Sequence, residues 1–147
     1  MMIEDKYEER KEDESVCCVR STLKSIDEIQ NKANLPVLKD VLPETIPIVL
    51  YSYSTLERYY AYGITSTPEC PLKTCFFRIE KLNKSDVCLS LLRPADEEGN
   101  YIDTICIPHR LEKTNLKVTL PINNFCAVQC ISPKLVNRRV LIVEQKC

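Results

Sequence analysis

The chain has 147 residues, 44% hydrophobic and 28% charged, which is ordinary for one globular domain long enough to bury a core. A net charge of −1 gives no electrostatic footprint for nucleic acid or an anionic membrane, and no apolar run reaches the ~18 residues of a membrane-spanning helix. Nine cysteines (Cys17, Cys18, Cys70, Cys75, Cys88, Cys106, Cys126, Cys130 and Cys147) leave at least one thiol for an intermolecular bond, a ligand or no partner.

Met1 to Glu14 carries seven acids against three bases. Residues 1–14 read as an acidic arm, either solvated or ordered against a neighbouring subunit. An acidic start differs from the basic-then-apolar pattern of a signal peptide, so synthesis without one is expected. The cysteines conflict with that address, because cytosolic proteins seldom keep disulfides. Three outcomes stay open: reduced thiols, metal-bound thiols, or an oxidising setting reached without secretion.

Ser15 to about Ala33 reads as a helix. Val16, Val19, Leu23, Ile26 and then Ile29 or Gln30 recur at spacings of three and four, which makes one apolar stripe. Ser15 suits the N-cap. Cys17 and Cys18 fall in the first turn, where the helix dipole favours a thiolate. They are idle thiols or a cross-linking point on the arm. Asn34 to Thr45 holds Pro36 and Pro43 and completes a helix-plus-connector segment, residues 15–45.

Residues 46–147 look β-rich and form the third unit. Ile46 to Tyr53 is apolar on both faces, as a central strand would be. Arg58 to Thr65 is a strand with Gly63 as its bulge, and Ser66 to Leu72, with Cys70, is a loop. Lys73 to Leu82 alternates, with Cys75, Phe77 and Ile79 on one face. Asp86 to Arg93 sets Val87, Leu89 and Leu91 opposite Cys88, Ser90 and Leu92. After the PADEEGN turn, Tyr101 to Ile107, with Cys106, would return as its hairpin partner. Leu116, Val118, Leu120 and Ile122 point one way, and Lys117 and Thr119 the other. Cys126, Val128 and Cys130 then share one face of a second strand, with Phe125, Ala127 and Ile131 opposite. Val140 to Glu144 gives a last short strand. About eight strands, spaced roughly eight to twelve residues apart, predict a mainly β protein. The fold class is an antiparallel two-sheet sandwich, the jelly roll being one form of it, with one N-terminal helix.

Cysteines four apart on a strand have Cα atoms about 13 Å apart at ~3.3 Å per residue, whereas a disulfide needs them within roughly 7 Å. Cys126 and Cys130 therefore cannot pair with each other on one strand. Each pairs elsewhere in the chain, pairs with another molecule, or stays free. Zinc is poorly served: Cys70 and Cys75, and Cys126 and Cys130, lack the C-x2-C spacing. His109 is the single histidine, and nothing places an orienting group for a Cys–His pair. No glycine-rich phosphate loop is present, and the carboxylates cluster in solvated stretches. The tyrosines Tyr51, Tyr53, Tyr59, Tyr60 and Tyr62 are a ligand platform or ordinary sheet residues.

Five stretches together resemble one family: ETIPIVLYS (44–52), CFFRIEKL (75–82), CLSLLRPAD (88–96), LEKTNLKV (111–118) and FCAVQCISPKLVNR (125–138). They are similar to the CotY/CotZ/ExsY proteins of the bacterial endospore outer coat and exosporium. The resemblance implies a structural, non-catalytic protein without cofactor or metal. It implies synthesis in the mother cell, self-assembly into layers at the spore surface, and disulfides that lock the layers once lysis makes the setting oxidising. The implied partners are copies of itself and other coat or exosporium proteins, with no nucleic acid and no membrane. The implied cross-linking thiols are Cys75, Cys88, Cys126 and Cys130, with Cys17 and Cys18; Cys70, Cys106 and Cys147 complete the candidates. The family is richer in cysteine, so a divergent adaptor that anchors a surface filament or another coat protein is the second expectation. A cytosolic metal- or ligand-binding β domain is the third.

Overall fold

The computed structural model describes residues 18–66, 69–102 and 108–136, with backbone alone at 66, 69 and 70. The acidic arm, Val16, the Ser15 cap, Cys17, Cys106, Cys147 and the strand expected at Val140–Glu144 lie outside these residues.

Residues 18–32 form the helix α1. Val19, Leu23 and Ile26 are buried, so the stripe faces the core as its spacing requires. Gln30 on the same side is only 2% exposed. Its amide donates to the Ile79 carbonyl (2.9 Å), and its carbonyl accepts from the Ile46 N–H (2.9 Å), so one buried side chain ties α1 to two sheet segments.

Seven strands follow among the described residues: β1 (Ile48–Ser52), β2 (Ala61–Ser66), β3 (Glu69–Thr74), β4 (Phe77–Leu82), β5 (Asp86–Ala95), β6 (Arg110–Pro121) and β7 (Phe125–Cys130). They make a five-stranded sheet in the order β6-β5-β4-β1-β7 and a two-stranded ribbon, β2-β3. All pairings are antiparallel. The protein is mainly β, with two antiparallel sheets and one helix, as its spacing predicts. The two sheets are unequal.

One face of the large sheet presents Ile48, Leu50, Phe77, Ile79, Val87, Leu89 and Leu91 to α1 and to Ala61 and Leu72 of the ribbon. The other face presents Val49, Phe76, Leu92 and Leu111 to Leu135 and Val136, which follow β7 in a short 3-10 turn. Full burial of a Leu, Ile or Phe side chain contributes roughly 1.5–3 kcal/mol, so these two layers hold the sheet flat side to flat side.

Four expectations need correction. Between β4 on one side and β6 on the other, β5 has no place for Tyr101 to Ile107 along Asp86 to Arg93; Tyr101 bridges to Ala95, and residues 103–107 lie outside the described residues. Gly63 is no bulge. It pairs in register with Leu72, and a Cβ there would meet Leu116 Cδ1 at 2.6 Å, so glycine lets the ribbon lie close to β6. Cys70 and Pro71 belong to β3, because a two-stranded ribbon tolerates the loss of the N–H that proline cannot donate. Lys73 to Leu82 is two strands. The chain breaks at Cys75 and Phe76, which moves Cys75 to the layer of Phe76 and away from Phe77.

Candidate cross-linking site

The six described cysteines separate by position. Cys75 is 2% exposed among Phe76, Leu92 and Tyr60. Burial pushes its thiol up, and the Arg58 guanidinium and the Tyr60 hydroxyl beside it pull the other way. Arg58 reaches this place because Tyr51 and Arg58 bridge across the turn that follows β1. Nothing in the linear sequence pointed to Arg58. Cys75 is thus a shielded thiol. Cys88 is half-buried in β5, opposite Thr119 of β6. Cys18 is exposed at the start of the described helix. Cys70 stands opposite Thr65 on the ribbon.

Cys126 and Cys130 are both exposed, and both lie on β7, which ends the five-stranded sheet. Their shared strand confirms the geometry that keeps them apart, and no bond joins any of Cys18, Cys75, Cys88, Cys126 and Cys130. The Cys126 sulfur lies 3.7 Å from the Tyr51 carbonyl oxygen and 3.8 Å from that of Ser52. The Cys130 thiol is pushed up by partial desolvation, although the side chain as a whole is exposed. Between them, Val128 packs against the helix-side core. Phe125 joins the same core rather than the opposite face, because the register slips at Tyr51/Ser52. Ile131, as expected, lies on the other face.

The ladder to β1 fixes which backbone groups β7 leaves open. Ile131 donates to the Pro47 carbonyl (2.8 Å), and the register pairs Val49 with Gln129 and Tyr51 with Ala127. Antiparallel strands alternate bonded and non-bonded pairs, so Ala127, Gln129 and Ile131 bond toward β1. The N–H and C=O of Val128 and Cys130 then face outward. Cys126 is the extra residue of the slip, and its backbone is released from β1. Among the described residues no strand lies beyond β7. The strand carries no charged side chain: its residues are Phe125, Cys126, Ala127, Val128, Gln129 and Cys130.

The remaining candidates are scattered. His109 precedes β6, where its backbone N–H donates to the Ala95 carbonyl (3.0 Å). Tyr59 packs against the rings of Phe77 and Phe125, at 5.8 and 5.6 Å between centroids. Tyr51 and Tyr60 flank Cys75, while Tyr53 and Tyr62 are exposed, so the tyrosines make no single platform. Among the described residues, no three His, Cys, Asp or Glu side chains group as metal ligands.

Comparison with known proteins places this arrangement. No solved structure matches the chain. It is 33% identical over 138 residues to spore coat protein Z of Bacillus subtilis (strain 168), across 82% of this chain and 93% of that protein. The family model described as spore coat protein Z matches residues 10–133, a span that takes in α1, both sheets and the thiol-bearing edge. The chain therefore belongs to the spore coat protein Z family.

Proposed function

We propose that this protein is a non-catalytic building block of the bacterial spore coat, or of the exosporium, at the spore surface. In this reading it associates with copies of itself and with other coat proteins, and exposed cysteines then lock the layer by disulfides. Family membership supports the coat role. The observation that supports association is the β7 edge, which offers outward backbone groups with no strand beyond them among the described residues, two exposed thiols and no charge. Repeated weak contacts in a layer give avidity, and interchain disulfides make release slow. Of the nine candidate thiols, those exposed on the surface are assigned the cross-links; Cys75 is not.

Negative-stain electron microscopy of the purified protein, with and without reductant, tests this reading. Ordered sheets or tubes in both conditions are expected. A monodisperse monomer in both would overturn it in favour of the adaptor. One surface favours that second reading: beyond α1, Leu35, Val37 and Val41 are exposed apolar side chains, Val37 by 87%.

A further inference from the structure

We propose that β7 is a self-pairing edge: two copies join antiparallel about a two-fold axis at Val128, and Cys126 of each copy bonds to Cys130 of the other. This inference rests on the self-association reading and names its contact. Antiparallel pairing of a strand with its own copy about residue 128 sets 126 opposite 130 and 127 opposite 129. Cys126 and Cys130 lie two residues on either side of Val128, so one axis brings both thiol pairs together. The outward N–H and C=O of Val128 meet those of the other copy as a bonded pair, and Cys126, the extra residue of the slip, stands beside Cys130 of the other copy two residues away on either side. Residues directly opposite on antiparallel strands hold Cα atoms about 4.5–5.5 Å apart, inside the roughly 4.4–6.8 Å that disulfides span. Val128 and Cys130 share a face by the strand period, and a two-fold axis normal to the sheet keeps each side chain on its own face.

The composition of β7 selects a second copy as occupant. Self-pairing sets like side chains near each other, and a strand without charge meets no repulsion when it does so. The opposite edge, β6, carries Lys113 and Lys117 outward and would repel its own copy. Only a partner with thiols at the matching register closes both bonds, and symmetry supplies one. Each bond forms by exchange with a small-molecule disulfide, RSSR. The Cys126 thiolate attacks RSSR, forms Cys126–S–S–R and expels RS⁻. The Cys130 thiolate of the other copy then displaces the second RS⁻. Two protein thiols are oxidised, one RSSR is reduced to two RSH, and the protons pass to the thiolates released.

Two full-length variants test the pairing, one Cys126→Ser at natural isotope abundance and one Cys130→Ser labelled with nitrogen-15. They are oxidised with glutathione disulfide, separately and as an equal mixture, then digested with trypsin, sized by mass spectrometry and sedimented. The pairing requires a linked peptide with one light Cys130 half and one heavy Cys126 half, in the mixture and in neither variant alone. A Cys126–Cys126 or Cys130–Cys130 link at equal yield overturns it. So does a link from either thiol to Cys147 of the same copy, the result expected if the chain's own C-terminal residues cover the edge. Assemblies that sediment as large particles with both thiols unlinked overturn the pairing and leave self-association standing. A monomer under every condition overturns both. Val128→Pro in the wild-type background removes an N–H that faces outward, so it spares the β1 ladder and is expected to abolish the mixed link. If that variant keeps the folded circular dichroism spectrum and still cross-links 126 to 130, the pairing is wrong.

Discussion

The two edges of the five-stranded sheet are built differently. β6 spans 12 residues, and its exposed side bears Lys113 and Lys117. Lys113 pairs with Glu44 from the connector, Arg93 with Glu112 (3.1 Å), and the ribbon comes close at Leu116. β7 spans six residues, bears no charge and shows two thiols to solvent. Charge and cover are the ordinary means of keeping a strand edge from recruiting another chain. Among the described residues, one edge of this sheet has both and the other has neither. The contrast supports β7, rather than β6, as the edge proposed to pair with another copy.

The largest effect is expected from giving β7 the protection of β6. Ala127→Lys sets a charge on an exposed position of the open edge, and sedimentation should show assemblies replaced by monomer. The converse double change, Lys113→Val with Lys117→Val, should open β6 and restore large particles even in the Ala127→Lys background. Gln30 ties the sheet to α1 at β4 and just before β1, away from both edges. Gln30→Leu leaves the Ile79 carbonyl and the Ile46 N–H without their partner, which costs about 1–3 kcal/mol, read as a lower urea midpoint. Gly63→Ala acts on the β6 side alone. The added Cβ must displace the Leu116 side chain, and a loss of ~1 kcal/mol is expected in the same assay.

Protonation separates the two sides more gently. Burial raises the Cys75 thiol above its ordinary 9.0, so the neutral form favours the folded state. That contribution is whole below the ordinary thiol value and is lost as pH rises through the raised one. Stability should therefore fall on an alkaline limb that Cys75→Ala abolishes, while Cys126–Cys130 cross-linking is unchanged. Glu44 is held below the usual carboxylate range by its hydrogen bond and charge contact with Lys113. This stabilises above the ordinary carboxylate value and is lost as pH falls through the lowered one. The pair is largely exposed, so Lys113→Val should change the acid limb by no more than about 0.2–1 kcal/mol in pH-dependent urea unfolding.

Much of this contrast is legible in the sequence. The alternation of Leu116, Val118 and Leu120 with Lys117 and Thr119 gives the face and the charge of β6 directly. The α1 stripe and the two thiols on one strand are equally plain, because period and side-chain chemistry agree there. The errors come from places where the period slips. The irregularities at Tyr51/Ser52, Ile79/Lys81 and Ser90/Leu92 each shift the register, and a slip of one residue turns the side chains that follow to the other face. Phe125 changed face at the first of these, and Cys75 at the break between β3 and β4. Arg58 beside Cys75 depends on a turn folding back onto β1, and no local pattern encodes that contact. The openness of β7 is a matter of strand order, which composition alone does not carry.

The central claim is that β7, and not β6, joins copies of this protein. Residue-resolved hydrogen exchange in reductant, at dilutions below and above assembly, tests it most directly. The amides of Ala127 and Gln129 bond to β1 and should be protected throughout. On β6 the bond from Ile122 to Ser85 (2.9 Å) sets the phase, so the amides of Lys117 and Thr119 face outward. Val128 and Cys130 should gain protection on assembly while Lys117 and Thr119 stay open. Protection of Lys117 and Thr119, with Val128 and Cys130 exchanging as fast as in the monomer, would contradict it.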